Sequence, residues 1–150
     1  MKDVQDKSVS AWLLRINGHA VCVGASELSM LLEAPKTERV LAAPAHCREV
    51  MLLEANLYPV VDMSSLLKRE PVDSNAIALI IYKEENETQA SYGALRFDSI
   101  PERIMVTDDM QIDMDAIDSQ LRKFVRAAFK YEDQSVGVLD LSEIFSLNNF

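Results

Sequence analysis

Residues 50–63, Val-Met-Leu-Leu-Glu-Ala-Asn-Leu-Tyr-Pro-Val-Val-Asp-Met, constrain the fold of this chain more than any other stretch. Two apolar runs flank the small polar step Glu54-Ala55-Asn56, a pattern that predicts two strands joined by a tight turn. Because the apolar residues are consecutive, both faces of each strand are expected to be at least partly covered. Pro59 has no N–H to give to a ladder, so the second strand is expected to be an edge or bulged strand at that point. Asp62 stands just before Ser64, Ser65, Leu66 and Leu67, where its carboxylate can cap a short helix by accepting backbone N–H bonds.

The rest of the chain repeats the theme of short strands and tight turns. Residues 1–7 are polar and read as a flexible N-terminus. From Ser8 an alternating segment places Trp12, Leu14 and Ile16 on one face, and Asn17-Gly18 then separates it from an apolar run at 19–23. Asn-Gly between two such runs predicts a hairpin, because both central residues of its turn need positive φ. Ser26 is expected to cap a short helix carrying Leu28, Leu31 and Leu32 at i, i+3, i+4 spacing and ending before Pro35. That leucine stripe reads as core before it reads as interface. Residues 36–43 read as a strand stopped by Pro44, and 69–74 as a loop. The continuous apolar run at 75–83 predicts a strand buried on both faces, turned by Glu84-Glu85-Asn86-Glu87 into a partner at 89–97. Residues 121–131 fit both a helical period and strand alternation. The turn-like Glu132-Asp133-Gln134 and the apolar 135–139 favour a strand, followed by a short helix capped by Asp140 or Ser142.

Composition removes several functions. The chain has 150 residues, enough for one domain, and 49% of them are hydrophobic, so a core can form without staples. A net charge of −9 argues against nucleic-acid binding, which needs clustered cations to displace phosphate counterions. The longest apolar run, at 76–82, is far shorter than the ~20 residues that span a bilayer, so no membrane insertion is expected. The polar start lacks the apolar core of a signal peptide, which predicts a cytoplasmic address with Cys22 and Cys47 reduced. Residues 107–118 hold five aspartates but neither the mid-loop glycine nor the closing glutamate of a calcium loop, and read as a solvated loop. His19 and Cys22 would point to opposite faces of a strand, and His46-Cys47 lack a second pair at ligand spacing, so no metal site is expected. There is no nucleophile elbow and no glycine-rich phosphate loop. The chain reads as a binding module with no cofactor rather than an enzyme.

The order strand, turn, strand, Pro-Val-Val-Asp-Met, short helix resembles the central motif of the CheW-like coupling domains of bacterial chemosensory systems. In that family a Gly-Val-x-Asn-Leu-Arg-Gly segment runs into Pro-[Ile/Val]-[Val/Leu]-Asp-Leu. Val50, Leu53, Pro59, Val60, Val61, Asp62 and Met63 fit, while Leu52, Glu54 and Ala55 stand where the family has Asn, Arg and Gly. Residues 94–100 are similar to the family's Gly-[Ile/Leu]-x-Val-Asp-x-Val, with Ala94 in place of Gly, and 136–145 resemble its closing strand and helix. The family also opens with a hairpin.

The resemblance implies a mainly β fold over residues 8–150, built as two small, intertwined five-stranded SH3-like barrels with a few short helices. It implies a non-enzymatic adaptor that couples the cytoplasmic tip of chemoreceptors to the regulatory domain of a histidine autokinase. In the family the hairpin Arg lies near these interfaces, and an acidic counterpart from the first helix would fall near Met30. The protein-binding candidates are therefore Glu54, Ala55, Leu52, Met30, Leu31 and Leu28, with Asp62 as a helix cap. Both departures from the family pattern point to a divergent member, one that serves pilus-based motility or binds one array component without bridging two.

Overall fold

The computed structural model describes residues 8–16, 18–33, 35–43, 47–66, 76–82, 91–97 and 100–145. The expected flexible N-terminus, the 69–74 loop and the turn at 84–87 lie outside them. In chain order the strands are β1 (Val9–Ile16), β2 (His19–Gly24), β3 (Leu28–Glu33), β4 (Thr37–Arg39), β5 (Glu49–Leu53) and β6 (Asn56–Asp62). Helix α1 (Met63–Leu66) is followed by β7 (Ala76–Tyr82), β8 (Ser91–Arg96), β9 (Glu102–Val106), β10 (Val125–Tyr131), β11 (Gln134–Leu139) and α2 (Leu141–Ile144).

Three hairpins close through two-residue loops, as their registers show: Ile16 opposite His19, Leu53 opposite Asn56 and Tyr131 opposite Gln134. Such loops need positive φ. Gly18 supplies it at 81°, whereas Glu54 (49°), Ala55 (67°), Glu132 (47°) and Asp133 (65°) adopt it without being glycine.

The strands form two mixed sheets, one ordered β10-β11-β2-β1-β9 and one ordered β3-β7-β8-β6-β5-β4. Most pairs are antiparallel, but β11 runs parallel to β2 and β6 parallel to β8. The expectation of two five-stranded closed barrels is therefore corrected: the second sheet has six strands, and neither sheet closes. Closure requires the two end strands to share a ladder. In the first sheet, 3₁₀ turns at Asp108–Met110, Met114–Ala116 and Arg122–Phe124 intervene between β9 and β10. Among the described residues, what reaches across is a single bridge, Gln111 to Phe129, and one bond from Ile112 N–H to Ala128 O at 3.0 Å. In the second sheet, only residues 34–36 connect the opposite edges β3 and β4. That linker spans at most roughly 14 Å, against about 24 Å across a flat six-stranded sheet. The sheet must therefore curl, yet no ladder joins β3 to β4 among the described residues.

One core joins the sheets. Leu14, Ile16, Val21 and Val23 of the first meet Val61, Leu95 and Phe97 of the second, with Met63, Leu141, Ile144 and Phe145 filling between them. Each sheet also wraps a smaller cluster on its other face, around Leu13, Cys22, Ile104 and Phe129 in the first and around Met51, Val60 and Ala94 in the second.

The helix expected after Ser26 is instead β3. Three leucines within five residues carry too little periodicity to define a helix. Pairing with the apolar β7, from Leu28–Ile80 to Glu33–Ala76, overrides the local pattern. Ser26 lies in a turn closed by Glu27, whose Oε1 accepts from Gly24 N–H at 2.7 Å. The strand expected at 36–43 is only three residues long. The ambiguous 121–131 segment is a 3₁₀ turn followed by β10, and β9 is a strand that residue patterning did not single out.

Candidate protein-interaction site

The β5–β6 hairpin projects Glu54 and Ala55 at its tip, both exposed. The Asn56 side-chain amide donates to Glu54 O at 3.4 Å. Alternation then sorts the flanking side chains. Met51, Leu53, Tyr58 and Val60 turn to the small cluster inside the second sheet. Leu52 and Leu57 stand directly opposite each other and point the other way. Leu52 remains 41% exposed and Leu57 63%. Leu57 was not among the residues singled out from the sequence, although a two-residue loop at 54–55 places it opposite the candidate Leu52 by counting alone.

The base of the hairpin is fixed by charge. Glu49 accepts from Thr37 Oγ1 at 2.7 Å and pairs with Arg96 Nη2 at 3.2 Å, tying β4, β5 and β8 together. Pro59 sits in an interior strand of the sheet rather than at its edge. The ladder to β8 takes in only Val60 to Asp62, so Pro59 lies just where that side is unpaired and its missing N–H costs no bond. Asp62 Oδ1 accepts from Ser64 N–H at 2.9 Å at the start of α1. Asp140 Oδ1 similarly accepts from Glu143 N–H at 3.2 Å at the start of α2.

The other candidates do not join this group. Leu28, Met30 and Leu31 lie on β3, which forms no ladder with β5: β7, β8 and β6 stand between them in the strand order, and on the other side residues 34–36 lead from β3 to β4, the strand paired with β5. Leu28 packs against the shared core, while Met30 and Leu31 are exposed. The Met30 position is thus not opposite Glu54 in any ladder.

The remaining polar features suit structure more than chemistry. Burial pushes the Cys22 thiol up to about 12, with Glu27 adding to the rise and Arg126 opposing it. Cys47 is also raised by burial. Among the described residues no group of three His, Cys, Asp or Glu could hold a metal. Asp113 and Asp118 in the acidic segment each accept a backbone N–H two residues on, at 2.9 Å, as turn-forming aspartates do. A cleft of about 380 Å³ opens beside Gly18, His19, Ile117, Leu121 and Gln134. No described helix is long and apolar enough to cross a membrane.

Comparison with known proteins gives two findings. A family model described as CheW-like domain matches residues 10–148. The crystal structure of the scaffolding protein TtCheW from Thermoanaerobacter tengcongensis superposes with a TM-score of 0.77 at 13% identity, covering 95% of each chain. At that identity the likeness is one of fold. No curated protein matches the chain.

Proposed function

The chain belongs to the CheW-like domain family, and on that premise we propose that it is a non-enzymatic adaptor of a chemosensory array. Its finer task is to couple the cytoplasmic tips of chemoreceptors to the regulatory domain of a histidine autokinase. The family match and a fold shared with a scaffolding protein support the scaffold role. The observation that carries the finer reading is the β5–β6 hairpin. It presents a charged tip and an exposed leucine pair on a base held by Glu49, the arrangement of an apolar anchor with a polar rim that protein interfaces use.

Glu54 stands where the family motif has Arg, and the acidic counterpart that the resemblance implies would fall near Met30, which is apolar. Partners that have changed with this chain would present a cation to Glu54, which fits a divergent member serving pilus-based motility. The same reversal favours a second reading, an auxiliary module that binds one component without bridging receptor and kinase.

Titration calorimetry of the parent and Glu54→Arg against kinase regulatory-domain and receptor-tip fragments, at two salt concentrations, separates these readings. The adaptor reading expects the parent to bind both fragments and Glu54→Arg to bind about tenfold or more weakly, a loss of about 1.4 kcal/mol or more. Binding of one fragment only selects the auxiliary module. Tighter binding of the kinase domain by Glu54→Arg would mean that the coupling contact has been switched off in this chain. Binding of neither fragment removes the coupling function.

A further inference from the structure

The two sheets present four end strands: β9 and β10 in the first, β3 and β4 in the second. Exposed edges invite another strand, and proteins guard them with charge, proline, brevity or a covering segment. Strand β4 is three residues long and exposes Glu38 and Arg39. Strand β9 follows Pro101 and begins with exposed Glu102 and Arg103. Strand β10 carries Arg126 and Lys130 and is bridged by Gln111 and Ile112. Strand β3 has six residues, Leu-Ser-Met-Leu-Leu-Glu, without proline, lysine or arginine. It is interrupted by a bulge between Leu28 and Met30, then pairs residue for residue with β7 through Glu33. On its other side no described strand pairs with it.

The side chains of β3 indicate how it would be covered. Met30 is 40% exposed and Leu31 41% exposed, and as neighbours in a strand they point to opposite faces. An occupant lying on either face of the sheet would cover one of them. An occupant that extends the sheet at its edge would cover both. Charge narrows the choice further. Glu27 and the exposed Glu33 bracket the strand with no basic residue between them, and the whole chain carries a net charge of −9. A second copy would bring the same negative charge.

We propose that β3 receives, as an added strand, an extended segment of another protein that alternates apolar side chains and carries basic residues at its ends. Main-chain bonds to the free side of β3 supply affinity, Met30 and Leu31 contact alternate side chains on the two faces, and the flanking glutamates select for positive charge. This inference does not rest on the receptor–kinase reading, since the occupant is held by the β3 edge and not by the Glu54 tip, although residues 34–36 lead from β3 to β4 beside the same hairpin, where Leu52 N–H donates to Lys36 O at 3.1 Å.

The test uses the full chain and a synthetic peptide of alternating valine and threonine with arginine at both ends. Two further versions carry N-methyl groups on one or the other alternate set of amides. An extended strand turns alternate amides to opposite sides, so one methylated set should weaken binding by about tenfold or more while the other leaves it unchanged. The double substitution Met30→Lys and Leu31→Lys should weaken the unmodified peptide to a similar degree. The methylated pair decides the matter even if that variant does not fold. The proposal is overturned if the peptide does not bind, if the two methylated versions bind equally, or if a version ending in glutamates binds as tightly. It is also overturned if sedimentation shows a parent dimer that the double substitution dissociates, because the occupant is then a second copy.

Discussion

At the scale of single residues, Glu54 and Ala55 show a conflict between local preference and register. Both hold positive φ without being glycine, at a cost of roughly 1–2 kcal/mol each. Replacing Ala55 with Gly removes that cost but gives the unfolded chain about 0.4–1 kcal/mol more freedom to lose. Relief is the larger effect, so Ala55→Gly should raise the urea midpoint by an amount equivalent to about 0.5–1 kcal/mol. A lower midpoint would show that the turn is not strained. Cys22 gives a pH prediction. Its thiol ionises near 9.0 when exposed and near 12 in the fold, so between these values the unfolded chain loses its proton first. Stability that Cys22 leaves intact below pH 9.0 should therefore decline as pH rises toward 12. Cys22→Ala should flatten that part of the stability profile, and native Cys22 should resist alkylation under conditions where unfolded protein reacts.

At the scale of elements, the short helices rely on aspartates at their starts. A helix of one turn contributes little by propensity, so Asp62→Ala should cost about 1 kcal/mol in chemical denaturation, in the usual range for an N-cap. An unchanged midpoint would count against the cap. The joint between β8 and α2 depends on a glycine for a different reason. A Cβ at Gly93 would meet the Phe145 ring at 2.5 Å, and that ring is itself buried. Gly93→Ala should thus destabilise by about 1–3 kcal/mol through overpacking, measured by the same denaturation. A neutral result would mean that α2 can move away from the second sheet without loss.

At the scale of the molecule, the main core draws on both sheets, with Val21 and Leu14 from one and Val61 and Leu95 from the other. Neither sheet can keep that face dry alone, so residues 8–150 are expected to unfold as one domain. Native-state hydrogen exchange should give the slowest amides of β1 and β2 the same opening free energy as those of β6 and β8. Two distinct values would divide the chain into separate units.

Local chemistry by itself determined the hairpins, because turns and apolar alternation are properties of neighbouring residues. Asn17-Gly18 and Glu132-Asp133 each mark a loop between paired strands, and the 50–63 stretch is the observed β5–β6–α1 order. Glu54 at an exposed tip was legible in the same way. Tertiary structure alone decided the state of residues 28–33, whose leucines fit a helical period but whose backbone bonds are made with β7 some fifty residues away. It also decided that the sheets stay open, since closure depends on whether distant end strands meet. That long-range pairing moved Met30 and Leu31 from an expected helix to a sheet edge, where both are exposed because the ladder ends beside them.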